Sequence, residues 1–297
     1  MKNREKLIGC LCAAFTIIVW GSTFISSKKL LTLFSPAQIM LTRFLLAYGA
    51  LWLVRPKMLS VPRKTDFFIF LLGLSGDSAS IYLENSALTY TLASNVSIIV
   101  AAAPILTAVL AHFAGLERFR SGTLLGFLVA FAGVILVVCN GTFVLKLNPR
   151  GDLLALGAAA CWAVYSVLIR RLDDGLDPLL ITRRTLFWGI VTALPLVLLE
   201  GRPYPAEALL SPVIAGNFLF LGLIGSCLCY ILLNRAFYYL GVVTTNSFIY
   251  IQPFVTILAG WLFLKEPISP LALVGAALIT AGVVAAQRAP KTTGISG

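Results

Sequence analysis

The sequence is poor in charge, in histidine and in polar connecting segments. Only 12% of its 297 residues are charged and 59% are hydrophobic, whereas an ordinary soluble domain carries about 25% charged residues. A chain this apolar cannot keep its surface from water, so its solvent must be lipid. There is one histidine, His112, near the end of an apolar run, where it reads as an interfacial residue. The six cysteines lie inside apolar runs, four of them as the C-x-C pairs Cys10/Cys12 and Cys227/Cys229 with no histidine nearby. They read as small apolar residues, so no metal, no cofactor and no disulfide framework is expected. H-E-x-x-H, G-x-S-x-G and the P-loop are all missing, which argues against an intramembrane enzyme and against a self-contained ATP-driven pump. The formal net charge is +11, yet the basic residues sit in short loops between apolar runs. There they set membrane orientation, and a nucleic-acid partner is rejected. MKNREK followed by an apolar run imitates a signal peptide, but the uncharged stretch 7–27 is longer than the roughly 7–15 residues of a signal core.

What the chain has in abundance is itself. GLSGDSASIYLENSALTY, beginning at Gly73, and GLIGSCLCYILLNRAFYY, beginning at Gly222, register when the chain is slid by 149 positions. Gly76 then falls on Gly225, Asn85 on Asn234, Pro104 on Pro253, Glu117 on Glu266 and Gly133 on Gly282. Nearer each start the shift is 142, placing Trp20 on Trp162 and Pro36 on Pro178; Arg43 and Arg184 align only with one more residue of slippage.

Crossing a membrane takes about 20 apolar residues. Ten spans are expected, at roughly 7–28, 36–55, 66–86, 91–114, 120–140, 151–170, 178–199, 211–235, 241–264 and 269–288. Ser35-Pro36 and Asp177-Pro178 open the second and seventh. Five spans per copy is an odd number, so the second copy threads the membrane in the opposite sense. The expected fold is an all-α integral membrane protein of ten transmembrane helices in two inverted five-helix repeats, an architecture associated with transport. With the N-terminus inside, fourteen lysines and arginines fall in inner segments and six in outer loops, which favours a multi-pass protein with both termini cytoplasmic.

A polar residue present in both copies reads as architectural, and one without a twin as functional. Glu117 and Glu266 are twins at helix ends and would orient loops. Asn85 and Asn234 would each make an interhelical hydrogen bond. Pro104 and Pro253 would each remove a backbone bond inside a helix and kink it. Asp77 and Glu84 have no acidic twin, their partners being Ser226 and Leu233. Seven residues apart, they share one helical face with about 10 Å of rise. A carboxylate within a membrane is costly unless protonated, paired or wetted, so both are proton-coupling candidates, with a salt bridge to Arg43 or Arg184, or a position near the outer interface, as the alternative. Trp162, Tyr165 and Ser166 share a face on span six, and Trp20, Thr23 and Phe24 are their counterparts on span one. Asn246, Tyr250 and Pro253 share a face on span nine. Trp20, Thr23, Trp162, Tyr165, Ser166, Asn246 and Tyr250 are therefore candidates for a substrate cavity, against the alternative of ordinary helix packing. Small residues on spans five and ten (Gly126, Ala130, Gly133, Gly275, Gly282) permit close helix contact within one chain or across a homodimer.

WGSTFISSKK at 20–29, SPAQIMLTRFLLA at 35–47, GLER at 115–118 and YYLGVVTTNSFIYIQPFVTILAGWLFLKEPIS at 238–269 resemble the drug/metabolite transporter superfamily, specifically its EamA-type exporters. The resemblance divides the chain into a first EamA-type repeat at 1–145, a second at 146–290 and a disordered tail at 291–297. It implies a midplane cavity and export of small metabolites, commonly amino acids or toxic organic compounds, usually coupled to protons. The expected setting is the plasma (inner) membrane, with lipid and a small-molecule substrate as partners. A facilitative channel and a non-transporting scaffold or receptor are the competing readings. Saturable, gradient-dependent flux would separate them from an exporter.

Overall fold

The computed structural model describes residues 2–57, 61–116, 121–139, 149–172 and 176–264, with isolated positions between 274 and 285. Among these residues there are helices and no strands. In lipid, helices satisfy their own backbone polar groups, which favours this outcome for so apolar a chain. We number the helical runs in chain order. Helix α1 is Lys2–Leu30, α2 Pro36–Val54 and α3 Arg63–Tyr90. Helix α4 is the pair Ala93–Val100 and Ala103–Phe113, α5 is Ser121–Cys139, α6 Pro149–Ile169 and α7 Pro178–Glu200. Helix α8 is Pro212–Leu240 and α9 covers 242–264. Among the described residues eight of these runs, α1 to α4 and α6 to α9, contain a stretch long and apolar enough to cross a membrane. Helix α5, with 19 residues, lies where the fifth span is expected. The tenth expected span falls outside the described residues apart from isolated positions, as do Glu117, Glu266 and 291–297.

The starts of α2 and α7 follow from local chemistry. Ser35 Oγ accepts from the Gln38 N–H while Gln38 Oε1 accepts from the Ser35 N–H, a reciprocal cap with Pro36 in the first turn. Asp177 Oδ1 accepts from the Leu179 N–H at 2.9 Å ahead of Pro178. Helix α7 ends on Gly201 at φ 59°, a left-handed position that glycine takes without a Cβ penalty.

Four runs are not regular α-helix. Helix α3 contains a π-helical turn at Gly73–Ala79, and α8 contains one at Phe220–Leu228. Helix α4 breaks at Ala101 and Ala102, and α9 passes through a 3-10 turn at Ser247–Ile251. Pro104 and Pro253 follow these breaks, each as the second residue of the helix that resumes at Ala103 or Gln252. The kink expected at the prolines is therefore placed just before them. In a first turn the missing proline N–H has no intrahelical partner to lose.

Helix α1 packs on the Cys229–Leu240 part of α8 and on the Gln252–Leu264 part of α9. Helix α6 packs on the Ser80–Tyr90 part of α3 and on the Ala103–Phe113 part of α4. Helices α2 and α7 lie against each other, α2 also against the π-turn of α8 and α7 against that of α3. These contacts are close because the turns present glycine. A Cβ on Gly73 would sit 2.5 Å from Thr185 O, and one on Gly222 2.6 Å from Leu46 Cβ. Gly282 approaches the Gly126 and Ala130 backbone in the same way, so that part of the small-residue stripe is used within one chain.

The two ends of the bundle are separately tied. At one end Lys28 Nζ donates to Leu88 O and Thr91 O, and Gln38 Nε2 donates to Arg202 O at 2.9 Å. At the other, Arg55 pairs with Asp177, Arg184 makes two bonds to Asp66, and Arg171 donates to Ala114 O.

Candidate functional site

The middle of the bundle holds a partly open cavity, with about 500 Å³ of space free of protein atoms counting the solvent at its mouth. Helix α1 contributes Trp20 and Thr23, α2 Arg43, α3 Ser80, Ile81 and Glu84, α4 Val100, α6 Trp162, α8 Tyr230, and α9 Ile249 and Gln252. Its wall is mostly apolar and aromatic, with one carboxylate and one guanidinium, the composition that lets a site hold a small solute and orient it. The aromatic side is rigid. Trp20 and Trp162 meet edge to face with centroids 5.0 Å apart, and Tyr230 packs on both at 5.6 and 6.4 Å. The two indole N–H groups are anchored, Trp20 Nε1 to Gly225 O at 2.9 Å and Trp162 Nε1 to Asn246 Oδ1 at 2.8 Å.

Glu84 lines the cavity and is partly accessible there. Asp77 does not line it. It is fully buried in the π-turn of α3, and neither carboxylate oxygen has a partner of hydrogen-bond geometry among the described residues. Tyr230 and Thr185 present hydroxyls towards it, and Arg43 is the cation in its field. The single helical face expected for the two carboxylates is thus broken. The wider i→i+5 bonding between Gly73 and Ala79 rotates Asp77 away from Glu84, and no α-helical spacing rule anticipates a π-turn.

Among the described residues neither carboxylate is paired with an arginine. Arg184 is taken by Asp66 at 2.8 Å. Arg43, almost wholly buried, donates from Nε to Ser226 Oγ at 2.7 Å. Ser226 lies in the π-turn of α8, as Asp77 lies in that of α3. Thr185 faces Asp77 as Arg43 faces Ser226, so Thr185, and not Arg184, is the structural counterpart of Arg43. The shift of 142 runs through α2 and α7 without slippage. Each of the two equivalent contacts has one charged member and one hydroxyl, and the two charges are of opposite sign.

Three of the seven cavity candidates, Trp20, Thr23 and Trp162, line the cavity. Tyr165 lies behind Trp162, 5.0 Å between centroids, and its hydroxyl donates to Asn234 Oδ1 at 3.4 Å. Ser166 is fully buried with no partner for Oγ among the described residues. The face drawn through Asn246, Tyr250 and Pro253 does not hold, because the 3-10 turn advances three residues per turn where an α-helix takes 3.6. Asn246 instead anchors Trp162, Tyr250 packs on Phe127 at 5.9 Å, and Ile249 and Gln252 reach the cavity. Arg43 and Tyr230 were missed as lining residues. Arg43 carried a usable signal, as an isolated cation within an otherwise uncharged span; Tyr230 carried none. Asn85 donates to Pro36 O at 3.4 Å and Asn234 to Thr182 Oγ1 at 2.9 Å, so each asparagine does bind across helices, α3 to α2 and α8 to α7.

The EamA-like transporter family matches residues 7–139 and again residues 149–286. The chain belongs to the EamA-like transporter family. Among curated relatives, the uncharacterized transporter YyaM of Bacillus subtilis (strain 168) is 29% identical over 286 residues, covering 92% of each chain. A probable terminal-alkyne amino-acid exporter of Streptantibioticus cattleyicolor is 28% identical over 276 residues, 92% of this chain and 91% of its own. A crystal structure at 21% identity superposes with a TM-score of 0.75 over 96% of this chain and 98% of the other, a likeness of fold. As an EamA-like protein the chain is a multi-pass membrane transporter with a small-molecule substrate and is not an enzyme.

Proposed function

We propose that this EamA-like protein is a secondary active exporter of small metabolites, amino acids or related organic compounds, coupled to protons and working by alternating access in the plasma membrane with both termini cytoplasmic. The observation that carries the reading is the central cavity. Glu84 and Arg43 stand on one wall system with Trp20, Trp162 and Ile249. A solute bearing an ammonium and a carboxylate would find a counter-charge for each, and its apolar part an aromatic surface. Glu84 and Asp77 are the proton sites in this scheme, since an unpaired carboxylate in the membrane is stabilised by protonation. One relative is named a probable terminal-alkyne amino-acid exporter, which agrees with that chemistry.

Ten helices in two inverted repeats, 1–145 and 146–290, provide the frame. Support comes from the double family match, from π-turns at equivalent places in α3 and α8, from breaks ahead of both Pro104 and Pro253, and from the reciprocal packing of α1 on α8 and α6 on α3. Uptake of labelled amino acids into inside-out vesicles under an acid-inside gradient tests the reading, with wild type, Glu84→Gln and Asp77→Asn side by side. The expected result is uptake that an uncoupler abolishes and both substitutions reduce. Uptake indifferent to the uncoupler sinks proton coupling. Uptake indifferent to both substitutions sinks the site assignment.

A further inference from the structure

A second, partly open cavity, with about 510 Å³ of space free of protein atoms counting the solvent at its mouth, lies at the end of the bundle that carries Arg170, between α6, α7 and α8. Its lining includes Arg170, Leu172, Leu176, Ile181, Asn234 and Phe237. Asn234 lies one helical turn from Tyr230, which lines the central cavity, so the two spaces share α8 with about 6 Å of rise between them.

What separates them is one layer of side chains. Tyr165 is 1% exposed and donates to Asn234, Asn234 donates to Thr182, and Tyr230 donates from its hydroxyl to Gly76 O at 3.4 Å. The rings of Tyr165 and Tyr230 meet edge to face at 6.2 Å. The layer therefore spans α6, α8, α7 and α3 with three hydrogen bonds, and the terminal oxygen of each tyrosine is held on a helix other than its own. Asp77, next to Gly76, is buried against the same layer.

The layer is one-sided. Across the repeat, Tyr165 corresponds to Thr23 and Tyr230 to Ile81, and both of these smaller residues line the central cavity. Threonine and isoleucine thus line the central cavity at the positions where the other half has two tyrosines. We infer that Tyr165, Tyr230 and Asn234 form the gate between the central cavity and a second, vestibular site for the same solute at the Arg170 end, where Arg170 offers a cation and Leu176 and Phe237 an apolar wall. This rests on the transport reading above. Passage requires the Tyr165–Asn234 bond to open, and the structure holds the gate shut.

Thiol accessibility tests it without knowledge of the substrate. Ser80→Cys reports on the central cavity and Leu176→Cys on the vestibule, each in the full chain in sealed vesicles of both orientations. A membrane-impermeant maleimide is the probe, with labelled positions resolved by peptide mass spectrometry so that native cysteines stay in place. Leu176→Cys is expected to react from one face only, which identifies the Arg170 face. From that face Ser80→Cys is expected to react slowly in the otherwise unaltered protein. Adding Tyr165→Phe, which removes the hydroxyl and keeps the ring, is expected to speed it about fivefold. Adding Tyr165→Ala is expected to speed it at least about tenfold. Leu176→Cys should be indifferent to both. A Ser80→Cys rate from the Arg170 face that equals that of Leu176→Cys, or that neither tyrosine substitution changes, overturns the gate. Loss of amino-acid uptake with this labelling pattern intact would overturn the substrate assignment and leave the gate standing.

Discussion

Alanine at position 76 would put a Cβ 2.3 Å from Tyr165 Cδ2, 2.5 Å from its Cγ and 3.0 Å from its Cβ. The atoms it meets are the root of a side chain, so rotation about χ2 does not clear them. Nor can the ring retreat, because Trp162 lies 5.0 Å away on one side and Tyr230 6.2 Å away on another, centroid to centroid. Relief requires α3 and α6 to part or Tyr165 to leave its rotamer, and overpacking of that kind costs about 1–3 kcal/mol. Position 225 is the internal control. Its Cβ would meet Thr23 Cγ2 at 3.1 Å and Arg43 Nη2 at 3.5 Å, a threonine methyl and the far end of a long side chain. Gly225→Ala should cost less than about 1 kcal/mol, offset in part by the smaller freedom of the unfolded chain. Thermal unfolding of both variants purified in the same detergent measures the difference. Adding Tyr165→Leu to Gly76→Ala should recover part of the loss, because the shared contact makes the two changes non-additive. If Gly76→Ala is as stable as Gly225→Ala, the description of a tyrosine layer packed on the α3 backbone is wrong.

Three other outcomes follow from the same geometry. Arg43→Gln removes the cation from the cavity wall and should lower vesicle uptake at least about tenfold, the effect of losing one charge-assisted hydrogen bond; unchanged uptake would remove Arg43 from the site. Asn246→Ala leaves the Trp162 indole N–H without its acceptor and should cost about 1 kcal/mol in thermal unfolding, whereas Thr32→Ala, at an exposed hydroxyl bonded only three residues back, serves as a near-neutral comparison. Asp66→Asn breaks a pair that is 23–28% exposed and should cost less than about 1 kcal/mol; the difference from wild type should shrink further in about 1 M salt, where charges are screened within about 3 Å.

The sequence read well where a single local property decides the outcome. Span positions follow from runs of apolar residues, and eight crossings coincide with expected ones. Helix starts at Pro36 and Pro178 follow from cap chemistry confined to a few residues. The cavity residues Trp20, Thr23, Trp162 and Glu84 were legible as polar and aromatic groups inside spans.

What failed to show in the sequence was rotation about each helix axis. Two π-turns and one 3-10 turn change which side chains face inward, and the glycines of the π-turns meet neighbouring helices closely there, contacts that belong to the packed bundle. That is why Asp77 turned away from Glu84, why Ile249 and Gln252 replaced Asn246 and Tyr250 at the cavity, and why Arg43 found Ser226. Composition determined that this chain lives in lipid, and its long unbroken apolar runs determined that it does so as helices, since the closed β-barrel, the other way to satisfy the backbone there, needs short strands of alternating polarity. Which carboxylate meets the cavity, and which tyrosines close it, only the tertiary structure decided. Those answers depend on contacts between residues as far apart as Gly76 and Tyr230, and on turns whose pitch no span-by-span pattern encodes.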